Sequence, residues 1–167
     1  FLSYLLIPST FNRSEIKAEL KSQLLSKFNL DFIFLEKFDY NFLPRPHFVI
    51  ENSSIKKNKI NISDIKKLKI YVSLNNLFSL KKIKINEVIL ENAKFNLNKK
   101  NSNFFLDLLE NNFSKNKLKI NNSNIFYQDI NGEVLFINKI KKMDFFVDFQ
   151  NLTKIIYSEN EIFNIPY

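Results

Sequence analysis

From residue 68 onward, apolar and polar side chains take turns along the chain. Leu68, Ile70, Val72 and Leu74 alternate with Lys67, Lys69, Tyr71 and Ser73, and Ile83 and Ile85 alternate with Lys82 and Lys84. Leu118 and Ile120 do so with Lys117 and Lys119, and Met143, Phe145, Val147 and Phe149 oppose Lys142, Asp144, Phe146, Asp148 and Gln150. A period of two places one set on each side of a β-strand. Parallel sheets covered by helices carry continuous apolar runs, whereas antiparallel sheets keep one face in water, so the pattern predicts antiparallel meanders. Asn131-Gly132, between residues 125–128 and 134–137, signals a hairpin because both residues accept positive φ. Asn75-Asn76 and Asn121-Asn122 read as further turns, and Lys99 to Asn103 as a polar loop.

The N-terminal part differs. Asn12 with Glu15 makes a capping-box pattern, and Ile16, Leu20, Leu24 and Phe28 then recur every four residues with Leu25 beside them. Lys17, Glu19, Lys21 and Lys27 fall elsewhere on that cylinder, so an amphipathic helix is expected from Ser14 to Phe28. After Asn29 the period becomes two, with Phe38, Tyr40 and Phe42 opposite Asp39 and Asn41, until Pro44 and Pro46 remove ladder donors. Residues 31–36 are more apolar than simple alternation allows. The expected fold class is therefore mainly β with one N-terminal amphipathic helix (α+β), an extended twisted antiparallel sheet that is open and groove-like or partly closed by the helix. An internal echo, Lys82 to Asn86 leading into Val88 to Phe95 and Lys117 to Asn121 leading into Ile125 to Tyr127, has a spacing of about 35 residues, in the range of stacked repeats.

Composition narrows the chemistry. The 167 residues include no Cys and one Gly, which excludes disulfides, Cys-ligated zinc, a cysteine nucleophile and glycine-rich phosphate loops within the chain. His47 is the only histidine and reads as a polar residue at a strand start. Asp144 and Asp148 share a strand face with Lys142, but strand residues four apart stand about 13 Å apart, too far for paired carboxylate chemistry. No catalytic residue, metal site or cofactor is assigned, and a non-enzymatic protein is expected. The net charge of +8 permits a basic nucleic-acid-binding face built from Lys67, Lys69, Lys82, Lys84, Lys117 and Lys119, with Tyr71 stacking bases. The same lysines would also meet anionic lipid headgroups, or simply keep the wet face soluble and its edges protected.

The order of the pieces resembles the N-terminal region of the AsmA family of bacterial envelope proteins. In that family a membrane segment ends in a short polar stretch, an amphipathic helix follows, and an alternating strand closes on Leu-Pro-Arg-Pro or a near variant before the next strand. Phe1 to Ile7, Phe11-Asn12-Arg13, Ser14 to Phe28, Phe38 to Phe42, the run Leu43-Pro44-Arg45-Pro46 and Phe48 to Ile50 follow that order here. Ile65 to Leu74 with Leu77-Phe78-Ser79-Leu80, then Ile83 to Leu97 and Phe104 to Leu109, look like the family's next strands and short segment. The resemblance implies residues 1–10 as the end of a truncated membrane anchor and 11–167 as an incomplete β-rich domain. It implies a single-pass protein of the inner membrane, facing the periplasm, with a role in outer-membrane biogenesis. Its partners would be phospholipid acyl chains, the inner membrane and other envelope proteins.

Two readings of the apolar row remain open. In an open sheet, Ile70, Val72, Ile83, Ile85, Phe145, Val147 and Phe149 would line a trough for acyl chains moving between the membranes. In a closed domain the same residues would pack as a core and the protein would organise envelope partners. A bulge in any strand would invert these assignments.

Overall fold

The computed structural model describes residues 2–57, 60–75, 77–110, 117–148, 150–151, 153–162 and 165–166. Among them are helices α1 (Leu2–Leu6), α2 (Arg13–Phe28) and α3 (Phe104–Glu110). The strands are β1 (Asp31–Phe34), β2 (Phe38–Asn41), β3 (His47–Lys57), β4 (Ile60–Val72), β5 (Ile85–Leu97), β6 (Lys117–Gln128), β7 (Val134–Asp148), β8 (Thr153–Ile162) and β9 (Ile165–Pro166). The fold is mainly β, and the strands form one sheet in the order β1-β3-β4-β5-β6-β7-β8-β9, with β2 also pairing β3.

Helix α2 begins where its cap places it. Asn12 Oδ1 accepts from the Ser14 N–H at 2.9 Å, and the helix ends at Asn29, whose left-handed φ of 52° lets its N–H reach the Leu25 carbonyl. Ile16, Leu20, Leu24 and Phe28 are all buried against the sheet, each contributing about 1.5–3 kcal/mol of burial at most. We call the sheet face that meets the helices the inner face.

Each long strand changes parity midway. In β3 the buried inner residues are Phe48 and Ile50, then Ser53 and Ile55; in β5 they are Val88 and Leu90, then Ala93, Phe95 and Leu97. The switch falls at Asn52, Lys66, Asn92, Asn122 and Lys141 in β3 to β7, and the registers Glu51↔Lys67, Lys67↔Glu91, Glu91↔Asn121 and Asn121↔Lys142 set these residues in one row. Asn52, Asn92 and Asn122 have φ of 49°, 54° and 48°, the left-handed region that asparagine enters more readily than other side-chain-bearing residues. The row crosses the edge where β1 and β2, effectively one strand, are parted at residues 35–37.

The sheet folds toward the helices across this line. The Phe105 ring of α3 lies 5.1 Å from Phe95 and 6.4 Å from Phe145. These two stand beside Ile125 and Leu118 of β6, which a flat strand would hold about 23 Å apart.

The Asn131-Gly132 hairpin forms as expected, with Gly132 at φ 87° and the Asp129 N–H bonded to the Glu133 carbonyl. The sheet departs from pure meander in one place. β5 and β6 pair in parallel, joined by a crossover that contains α3, and every partner from Glu87↔Lys117 to Leu97↔Tyr127 lies thirty residues further along. Asn121-Asn122 is no turn: it lies inside β6, where Asn122 supplies the left-handed residue of the parity switch. Likewise Asn86 lies inside β5, which starts only at Ile85: Lys82 closes a 3-10 turn and Ile83 and Lys84 lead into the strand, so neither echo is a strand-turn-strand unit. Asn76, expected in a turn, lies outside the described residues.

Candidate functional site

Of the residues assigned to an apolar trough, those described lie in the buried core or pack against it. Ile70, Val72, Ile83, Ile85 and Phe145 are 4% exposed or less, Val147 is half-buried, and Phe149 lies outside the described residues. Over most of its length the row is therefore lidded. Gln23 of α2 donates to the Ile83 carbonyl at 2.6 Å and accepts from the Ile85 N–H at 3.1 Å, so the helix takes over ladder bonds at the start of β5. Lys27 reaches the Ile85 carbonyl at 3.4 Å; burial, and then the nearby Lys84 charge, hold its amine below the usual lysine range. At the other side Phe104 and Leu108 of α3 are buried, and Asp107 pairs with Lys57 at the end of β3.

The N-terminal segment is tied to the same end of the sheet. Tyr40 donates its hydroxyl to the Leu5 carbonyl at 2.6 Å, and burial pushes that phenol up to about 12. The Tyr4 hydroxyl donates to the Leu74 carbonyl and accepts from the Leu77 N–H. Leu5 is buried in the core. No helix among the described residues is long and apolar enough to cross a membrane.

The lid ends before the sheet does. On β7 the inner row runs Phe136, Asn138, Ile140, and Phe136 is 36% exposed; a register shift sets Val134, 48% exposed, opposite Gln128 and out of that row. Phe136 stacks on Tyr127 of β6 at 4.3 Å between ring centroids, and Ile165 of β9 is 68% exposed. Val147 and Ile156 are only partly buried at the opposite end of β7 and β8. Sequence reasoning placed residues 134–137 in a strand but missed them as site residues, because four consecutive apolar residues do not declare which face is inner. The same segment, Val134, Leu135, Phe136 and Ile137, borders a depression of about 450 Å³ with Asn124, Lys139 and Glu161.

Part of the lysine charge on the outer face is paired across its own ladder. Lys69 pairs with Glu91 at 2.7 Å, Lys119 with Glu87 at 2.6 Å, and Lys139 and Lys141 both approach Glu161. Tyr71 offers little ring area, being 8% exposed, with His47 stacked at 4.8 Å and the Arg45 guanidinium 4.4 Å from its centroid. Arg45 also pairs with Glu87 at 2.7 Å. Burial pushes the Glu87 carboxyl up, but hydrogen bonds from Lys119 and Arg45 and their charges outweigh it and hold the group below the usual carboxylate range. His47, expected at a strand start, begins β3 and bonds the Arg45 carbonyl through Nδ1. A shallow depression of about 700 Å³ follows the parity row on this face, lined by Asn52, Asp64, Lys66, Asn92, Lys94 and Asn122 among others. Among the described residues no group of three or more His, Asp or Glu side chains stands together as a metal site.

Comparison with protein-family models and with curated proteins returns no match. Function must be read from the site alone.

Proposed function

We propose that this chain is a non-enzymatic β-rich envelope domain that holds phospholipid acyl chains on the inner face of its sheet. The observation that carries this reading is the passage of one apolar face from a helix-lidded stretch, Ile70 to Ile85, to an uncovered one at Phe136. Helices α2 and α3 close the trough at one side, and tails enter where β7 and β8 run past them. Each methylene moved from water onto such a face gains about 0.8 kcal/mol, enough to hold a tail without any bond being made or broken. In a single-pass protein of the inner membrane, as the AsmA resemblance implies, the chain would pass phospholipid toward the outer membrane.

The test is lipid extraction from protein purified without detergent. Wild type is expected to carry phospholipid, and Phe136→Asp and Val147→Asp, both at partly covered positions, to carry several-fold less while remaining folded. Equal lipid in all three overturns the trough.

A second reading is a closed structural domain that organises envelope partners. It is favoured by the complete burial of Ile70, Ile83, Ile85 and Phe145 beneath the helices. It expects folded wild type with no lipid.

A further inference from the structure

Apart from the Glu87 oxygen met by the Lys119 ammonium at 2.6 Å, five buried side-chain oxygens among the described residues lack a hydrogen-bond partner: those of Ser53, Ser63, Asn138, Asp144 and Asn160. That of Asp144 belongs to an ion-paired carboxylate, and the two serine hydroxyls are free to turn. Asn138 and Asn160 remain, 7% and 6% exposed, each with an orphaned Oδ1. Both lie on the inner face. Asn138 sits between Ile125 and Ile162, and Asn160 beside Ile140, so the two are diagonal neighbours on β7 and β8, about 7–8 Å apart. Asn160 spends its amide on the Ser158 hydroxyl at 3.2 Å, which fixes its oxygen as an acceptor.

Buried acceptors in folded proteins find a donor in protein, water or ligand. The face itself says which donor fits. The residues paired beside the two asparagines are isoleucines, with no carboxylate to balance a charge, and a buried cation without a counter-charge is costly. Neutral O–H groups carry no such penalty. Along β7 the rung directly follows the exposed apolar Phe136, so an occupant would be apolar at one end and hydroxylated at the other.

We infer that Asn138 and Asn160 form a polar rung that accepts the hydroxyls of a polyol-bearing lipid, of the glycerol-headgroup class, whose tail lies on Phe136. The inference rests on the lipid-holding reading and names its ligand.

The test uses the whole chain and two kinds of vesicle, dioleoylphosphatidylglycerol and dioleoylphosphatidylmethanol. Their tails and single negative charge are the same, and only the first bears hydroxyls, so the basic protein gains nothing by charge alone. Wild type is expected to take up the hydroxylated lipid about tenfold better, the effect of two neutral hydrogen bonds. The Asn138→Leu/Asn160→Leu double variant is expected to take up both equally, at the wild-type level for phosphatidylmethanol. Glycerophosphoglycerol, the same headgroup without tails, is expected to compete at least tenfold less well. Equal uptake of the two lipids by wild type, as when water alone meets these oxygens, overturns the inference whether or not the double variant folds. A preference that survives in the folded double variant overturns it too, and full competition by glycerophosphoglycerol would assign the rung to a free polyol and overturn its lipid part. Uptake of neither lipid by wild type overturns the lipid-holding reading itself.

Discussion

Replacing Asn92 with valine tests the parity row directly. Asn92 is exposed at φ 54° in β5, and its side chain makes no hydrogen bond among the described residues, so a change there reports on the backbone. An L-residue in the left-handed region costs about 1–2 kcal/mol, with asparagine paying less than most and a β-branched side chain paying in full. Asn92→Val is therefore expected to destabilise by about 1–2 kcal/mol, and Asn92→Gly, which carries no Cβ, to stay within about 0.5 kcal/mol of wild type. For a chain of this length each kcal/mol moves the melting temperature by about 2–4 °C. Urea titration followed by circular dichroism would give the difference as a midpoint shift at constant slope. Asn52 and Asn122 occupy the same conformation three strand spacings apart, about 14 Å, so valine at both should cost the sum of the single changes within about 0.5 kcal/mol. Valine and glycine variants of equal stability at position 92 would refute the argument that left-handed residues hold the row.

Glu87, held below the usual carboxylate range, contributes stability that is fully present above the carboxyl pKa of the unfolded chain and is lost as pH falls through its lower folded pKa. Melting curves taken from pH 7 to pH 3 should show this acid loss, and Glu87→Gln should flatten it; an unchanged acid limb would remove Glu87 from the account. Gln23→Ala leaves the Ile83 carbonyl and the Ile85 N–H without their helix partner and is expected to cost about 1–3 kcal/mol in urea unfolding. A loss no larger than that of an exposed α2 change such as Ser22→Ala would show that the helix is held by its apolar row alone.

How much of this was legible beforehand depended on whether the signal was local. Helix α2 was readable because cap, four-residue period and terminating Asn29 all lie within eighteen residues. The hairpin at Asn131-Gly132 was readable because its dipeptide has few other uses. Asn121-Asn122 misled for a physical reason: the left-handed φ that makes asparagine a turn residue also serves a bend inside a strand, and only the neighbouring strands decide which. The parallel crossover was hidden because α3 is seven residues long, too short for its period to stand out. Ile70, Ile83 and Phe145, assigned to one face by alternation, are buried in one core, yet whether that core is lidded depends on contacts such as Gln23 to Ile85, sixty-two residues apart in sequence. The rung at Asn138 and Asn160 had no sequence signature, since an inward asparagine within alternating residues is indistinguishable from an outward one until the parity switch is located.

Because the extra residue occurs at the same level in five adjoining strands, none of them is free to change length alone. Deleting Asn92 would leave β5 paired with both neighbours but out of step beyond that point, turning Ala93, Phe95 and Leu97 outward and Lys94 and Asn96 into the core. Insertions and deletions in related chains should therefore collect in the connections at either end of the sheet, and a strand altered at the row should be found altered together with its neighbours.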